Sequence, residues 1–399
     1  MELTTRNPFW LVKNGFLYSY PSLQQDVETD VAVMGGGITG ALVAYYLLRS
    51  GWNVTVLDRR NIGMGSTSAS TALLQYEIDL PLYELIGKVG YEVAVASYRA
   101  CFRSIDELEK MVDHEKFRVD FEKRPSLQYA SYKKHVEKLE KEAVAREKAG
   151  IPVELWSREK LKEKFGIEAP AALFSLQGAQ VDPFRLTHAI FQKKEKQLKV
   201  FDKTEVVEIR TNRSGVTLFT DTRKKVSARY LIVATGYEAQ QYLPRRVVKL
   251  LSTYAIVSEP VDEEDLWLQK ALIWETKEPY LYLRTTPDSR ILVGGRDEET
   301  IRPRRRKAHL SKKADQLAQD FHRLMPSLPF RTDFAWAGTF GYTDDALPYV
   351  GSLPEMPRTF FALGFGGNGI TFSVLAAEIL STLLHGEKHP LQKAFRFER

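Results

Sequence analysis

The chain has 399 residues, 44% of them hydrophobic and 27% charged, with a formal net charge of +6. That length supports a large core and points to two domains rather than one simple layer. Its single cysteine, Cys101, excludes an intrachain disulfide, an iron–sulfur cluster and any cysteine-based zinc site, and its helical surroundings mark it as a packed thiol. No metal site is expected, since His385 and His389 straddle Gly386 near the chain end. No window approaches the roughly 18 uninterrupted apolar residues of a membrane span; the longest candidate, residues 370–384, carries Glu378. The start, MELTTRNPFW, has no basic region leading into an apolar one, so a cytoplasmic protein is expected. The basic runs at 302–307 and 193–199 adjoin helices rich in both signs and read as solvated faces, with no nucleic-acid partner expected.

Residues 30–34 (DVAVM) predict a short buried strand, and Gly35, Gly37 and Gly40 in GGGITG form a G-x-G-x-x-G turn into an amphipathic helix over 41–49. Gly51 stops the helix, and a strand over 54–57 ends in Asp58. Strand, turn, helix, second strand and terminal acid make a β-α-β dinucleotide fingerprint, where the glycine pattern alone would also fit a structural turn. The first glycine makes the tight turn, the second admits a pyrophosphate to the backbone, and the third lets helix and strand pack closely. The helix N-terminus offers unpaired N–H groups to the phosphates. Asp58 is placed to accept hydrogen bonds from ribose hydroxyls.

Beyond residue 88 the pattern predicts a long helix over 91–113 and a strand-like pair at 117–121 and 126–130. A charged helix over 133–149 is stopped by Gly150, and Ser157 is placed to cap the helix after it. From residue 178 come a helix after Pro183, strands at 199–201, 205–210 and 216–220, and the run YLIVATGY. Strands at 254–259, 271–275, 280–284 and 290–294 alternate more and turn more often, as an antiparallel sheet does. A helix over 309–325 stops at Pro326, and the tail returns to strand, glycine loop and helix. The predicted class is α/β (α+β overall): a Rossmann-like nucleotide domain from 1–88, 178–250 and 334–399, interleaved with a second domain on a mainly antiparallel sheet from 89–177 and 251–333.

Two further segments belong with the fingerprint. LIVATG (231–236) is a buried strand whose small residues at its carboxyl end let a cofactor approach. GFGGNGIT (364–371) sets closely spaced glycines ahead of a helix N-terminus, a nest of N–H donors for an electron-rich ring edge. With GMGSTSASTALLQ, GAQVDPFRL and WAGTFGYTDDALPYVG they run in one order over nearly the whole chain. In this the sequence resembles the D-amino-acid oxidase superfamily of FAD enzymes, in the branch of sarcosine oxidase, glycine oxidase and γ-glutamylputrescine oxidase.

The resemblance implies that Gly35, Gly37, Ile38, Thr39 and Gly40 hold the FAD pyrophosphate, with Asp58 and Arg59 at the adenosine ribose. Ser66, Thr67 and Ser68 would line the phosphate and ribityl chain, Val206 the adenine, and Ala234, Thr235 and Gly236 the adenosine side. Gly366, Gly367, Asn368, Gly369, Ile370 and Thr371 would cover the flavin's pyrimidine edge, where N–H donors stabilise the reduced ring. Gly338 stands where sarcosine oxidase relatives carry the cysteine that binds FAD, so non-covalent FAD is implied. The cations that hold a substrate carboxylate in this branch fall on Gln75, Phe340 and Thr371, which favours an amine over a small α-amino acid. Gln75, Tyr282 and Phe340 are the expected substrate-pocket residues, with Gln75 also at the flavin. The lysine linked to oxygen reactivity falls on Leu292. The implied activity is oxidation of a C–N bond in an amine or N-substituted amino acid, with O2 or another electron acceptor. A dehydrogenase feeding a quinone or carrier protein, and a nucleic-acid-modifying flavoprotein, remain as alternatives.

Overall fold

The computed structural model describes residues 1–5 and 8–399. Short apolar runs such as VAVM and VTVL have no polar face to offer water, and they form strands covered on both sides. Five of these lie parallel, in the spatial order Leu198–Phe201, Val54–Leu57, Val27–Met34, Lys225–Val233, Thr359–Leu363. Their carboxyl ends share one edge, where the chain turns into Gly35, Asp58, Ala234 and Gly364, the place at which open α/β sheets bind ligands. Antiparallel strands Val206–Thr211, Val216–Thr220 and Tyr349–Ser352 extend the sheet.

The helix after the fingerprint turn, Ile38–Arg49, is buried all round, with ten of its twelve residues inside, and is not the amphipathic helix expected over 41–49. It is wedged between the sheet and two other helices, Gly369–Leu384 and Pro183–Phe191, so no face is left for solvent. Residues 366–384 are long and apolar enough to cross a membrane, but 72% of that window is buried, with the helices Ile38–Arg49 and Tyr91–Glu115 packed against it, which makes it a core helix. Cys101, on Tyr91–Glu115, is buried, and burial pushes its thiol pKa up.

A second sheet of nine strands runs Thr4–Thr5, Thr332–Tyr342, Lys249–Ser258, Ile291–Glu298, Tyr282–Thr285, Leu272–Glu275, Ser126–Tyr129, Ala171–Ser175, Glu154–Ser157. Its pairs are antiparallel except that of Leu272–Glu275 with Ser126–Tyr129. One face packs on the helix Pro303–Leu324 through Ile256, Ile291, Val293, Leu310, Leu317 and Phe321. The opposite face roofs a cavity against the first sheet.

Three expectations need correcting. Residues 117–121 are not a strand; the short pairing falls on Glu122–Lys123 with Ala179–Gln180. Thr332–Tyr342, assigned from residue 334 on to the nucleotide part, is a strand of the second sheet, registered along Lys249–Ser258. The helix expected from 309 begins at Pro303, whose fixed φ and missing N–H suit a first turn. The basic run is therefore helical, and Arg306 within it is fully buried rather than solvated. Its guanidinium donates to Thr5 Oγ1, Thr339 Oγ1 and the Glu2 carbonyl, each at 2.9 Å.

Candidate active site

Each end of the fingerprint turn is shaped by contact. Gly35 has φ +116°, and a Cβ there would overlap the Ala234 carbonyl. Gly40 packs so closely on the Gly35 carbonyl that a Cβ would overlap it, and it lies behind the cavity wall rather than in it. Gly37 has φ −84°, which any residue adopts; its constraint is space, since a Cβ would stand 2.9 Å from Thr67 Oγ1. That hydroxyl accepts the Ile38 N–H at 2.9 Å, capping the helix. Gly37, Ile38 and Thr39 all line the cavity.

Asp58 accepts the N–H groups of Gly36 and Arg60, both at 2.7 Å. Burial still pushes its carboxyl pKa up. Arg59 lines the cavity, but its guanidinium, like that of Arg60, is bound to Glu238, a residue for which the sequence carried no signal beyond its place after LIVATG. Val206, Ala234, Thr235 and Gly236 complete this end. Ser66 Oγ and Thr235 Oγ1 line the cavity, are buried, and meet no hydrogen-bond partner among the described residues. Such atoms cost about 1–3 kcal/mol each unless a ligand satisfies them. Ser68, expected beside Ser66, instead donates to the Gly65 carbonyl at 2.9 Å and lies outside the wall.

The cavity, about 400 Å³, continues from this crevice beneath the second sheet. Gln75, Tyr282, Phe340 and Gly338 come together here, with the loop from Gly366 to Ile370 below them. The loop's donors are partly engaged: the Gly367 N–H goes to Asp79 Oδ2 at 2.8 Å. Asn368 Nδ2 donates to the carbonyls of Gln75 and Glu77, both at 2.9 Å, so it fixes the opposite wall while lining the cavity. Thr371, expected at the flavin, is buried behind the loop, where its hydroxyl donates to the Asn368 carbonyl at 3.1 Å. Leu292 is not in the wall either; it sits in an apolar cluster with Phe9, Trp10 and Trp336.

Several wall residues escaped sequence reasoning. Asp79 and Asp297 both face this chamber with Trp274 and Tyr280. The alternation in YLYLR puts Tyr280 and Tyr282 on one face, a readable signal; the aspartates carried none. Burial pushes the Asp297 carboxyl up to about 6, helped by the like charge of Asp79 and opposed by the Thr253 hydroxyl and Lys313. Burial likewise raises Asp79, with Glu278 adding to it and the Gly367 N–H and Tyr280 opposing. A charged triad braces the wall: buried Arg146 binds Glu142 at 2.7 Å and Glu77 at 3.3 Å. Removing one member of such a triad leaves an uncompensated buried charge.

A family model described as FAD dependent oxidoreductase, DAO, matches residues 30–383. The chain belongs to this family. A putative Rieske 2Fe-2S iron–sulfur protein of Bacillus subtilis is 25% identical over 95% of this chain and 73% of that protein. The γ-glutamylputrescine oxidoreductase of Escherichia coli is 25% identical over 92% of this chain and 86% of its own length. The fold matches the crystal structure of glycine oxidase from Geobacillus kaustophilus with a TM-score of 0.79 at 20% identity, covering 94% of this chain and 99% of that one. Membership makes the chain an FAD-dependent oxidoreductase, and the crevice fits that cofactor. It provides a close-approach turn, a capped helix N-terminus and two buried hydroxyls awaiting partners. The single cysteine means that this chain holds no cysteine-ligated iron–sulfur cluster of its own.

Proposed function

We propose that the chain oxidises a C–N bond of an amine or an N-substituted amino acid. Bound FAD supplies a hydride acceptor. The turn from Gly35 to Thr39 would take the pyrophosphate, Asp58 a ribose hydroxyl, Ser66 and Thr67 would donate to the phosphates and sugar-alcohol chain, and Thr235 would donate on the adenosine side. Asn368 holds the wall formed by Gln75 and Glu77 against the glycine loop, so that the substrate is presented at a fixed height. The substrate's α-C–H bond breaks with its electron pair leaving as hydride, and the nitrogen lone pair closes a C=N bond. Water then adds to that carbon, and the C–N bond breaks to give a carbonyl compound and the free amine.

The observation that carries this reading is the charge of the chamber. Among the described residues, Gln75 and Phe340 stand in its wall without a cation beside them, and the arginines of the wall are already held, Arg146 by two glutamates, Arg59 and Arg60 by Glu238. The remaining described cations of the wall, Lys138 and Lys277, sit on segments open to solvent. A small amino acid bound through its carboxylate finds no clamp in such a chamber. The test is anaerobic bleaching of the flavin by a panel of amines and amino acids, which reads hydride transfer whatever the acceptor. If neither class bleaches it, the reading fails.

A second reading keeps the reaction and changes the acceptor to a quinone or carrier protein. Its support is Leu292, which leaves the expected oxygen-activating position apolar and out of the cavity. Fast dye reduction with slow oxygen consumption distinguishes it. The nucleic-acid reading keeps four exposed cations of the basic run, Arg302, Arg304, Arg305 and Lys307, but loses Arg306, which is anchored inward.

A further inference from the structure

Two carboxylates, Asp79 beside the glycine loop and Asp297 on the second sheet, face the chamber, and among the described residues neither forms a salt bridge. Asp79 uses Oδ2 on the Gly367 N–H and Oδ1 on the Tyr280 hydroxyl at 3.4 Å; the nearest charge it feels is Glu278, of its own sign. Asp297, on the strand Ile291–Glu298, faces the like charge of Asp79. The one cation near it, Lys313, is committed elsewhere, at 2.8 Å from the Arg296 carbonyl and 3.5 Å from Glu298. Asp297 faces the neighbouring Thr253 hydroxyl, and among the described residues neither Asp297 Oδ1 nor Thr253 Oγ1 makes a well-formed hydrogen bond.

Three aromatic rings border these carboxylates. Trp274 meets Tyr280 edge-on at 6.2 Å, and Tyr280 meets Tyr282 at 5.7 Å. Tyr282 lies over Gly294, where a Cβ would overlap its ring, so the absence of a side chain there lets the ring sit down on the sheet. Paired like charges in a poorly solvated pocket oppose each other unless a cation enters, and ring faces attract cations as well.

We propose that this end of the chamber binds a second, distal ammonium group, so that the substrate is a diamine or polyamine-type molecule whose other nitrogen is the one oxidised. This rests on the C–N oxidation reading above. The two nitrogens have opposite needs. The reacting nitrogen must be neutral to release its lone pair. The distal nitrogen keeps its proton and is held by Asp79, Asp297 and the rings. A purely structural role for Asp79, as anchor of Gly367, would make no distinction between substrates with one positive charge and with two.

The experiment uses the FAD-loaded protein under anaerobic conditions. A straight-chain diamine, the monoamine of the same chain length and sarcosine are compared by flavin bleaching. A bis-trimethylammonium alkane, whose nitrogens have no lone pair to give, is titrated by its effect on the flavin visible spectrum. Asp79→Asn and Asp297→Asn keep the shape and the acceptor oxygen, and retained FAD confirms that they fold. A charge-assisted hydrogen bond is worth roughly 1.5–3 kcal/mol. The diamine is therefore expected to half-saturate at a concentration about tenfold or more below the monoamine, and each variant to remove most of that advantage. The proposal is overturned if diamine and monoamine behave alike, if sarcosine outperforms both, or if the variants weaken all compounds equally. If nothing bleaches the flavin yet the bis-quaternary cation binds and loses its effect in the variants, the cation site stands and the oxidation reading falls.

Discussion

Asp297→Asn is expected to stabilise the protein at neutral and alkaline pH and to leave it nearly unchanged in acid. The folded carboxyl is raised from 3.8 to about 6, roughly two units. A group whose folded pKa is raised favours the fold while protonated in both states, so its contribution is complete below about pH 4 and is lost as pH rises through about 6. At about 1.4 kcal/mol per unit, the loss comes to roughly 3 kcal/mol by about pH 8. Unfolding entropy near 2.1 cal/mol/K per residue over 399 residues is about 0.8 kcal/mol/K, so the variant should melt about 3–4 °C above the parent at high pH. Melting curves of the FAD-loaded parent and variant, taken across about pH 4 to pH 8, give the difference directly, because every other titration cancels in it. A difference that stays flat with pH, or a variant that is less stable in base, would refute the claim that an uncompensated carboxylate sits in this wall. A bound dication should shrink the gap by neutralising the parent's charge.

Three other outcomes are expected. Arg306→Met should cost about 3–5 kcal/mol, lowering the melting temperature by roughly 4–6 °C, since it strands two hydroxyls and a carbonyl in the interior; Arg305→Met, at an exposed position of the same helix, should move it by less than about 1 °C. Gly37→Val should give a folded but colourless protein, because its backbone angles suit any residue while its side chain intrudes beside Thr67 where the cofactor must approach; stoichiometric FAD in that variant would count against the crevice. Acid precipitation should release all of the flavin into the supernatant, since Gly338 stands at the expected attachment point and Cys101 is buried in a helix away from the cavity; fluorescence retained by the pellet would show a covalent link.

The parts of this protein that were legible in the sequence are those fixed by neighbours along the chain. The apolar runs VAVM and VTVL, the glycine turn between them and the acid at Asp58 each follow from local periodicity or backbone preference, and the strands Val54–Leu57 and Val216–Thr220 fall where the pattern put them. The strand Thr332–Tyr342 was missed because its glycines and its motif said nothing about partners; its sheet was chosen by registry with Lys249–Ser258, some eighty residues away. Arg306 looked like one more surface charge until the second sheet brought Thr5 and Thr339 to it. Gly40, Ser68 and Thr371 carry the right residue types yet turn their atoms to the protein, because backbone carbonyls and packed turns nearby are closer partners than the cavity. Asp79 and Asp297 are 218 positions apart in a loop and a strand that share no pattern. Only closure of the second sheet over the first makes them neighbours, and since the energy of two like charges depends on their separation and on the water between them, no reading of either residue alone contains it.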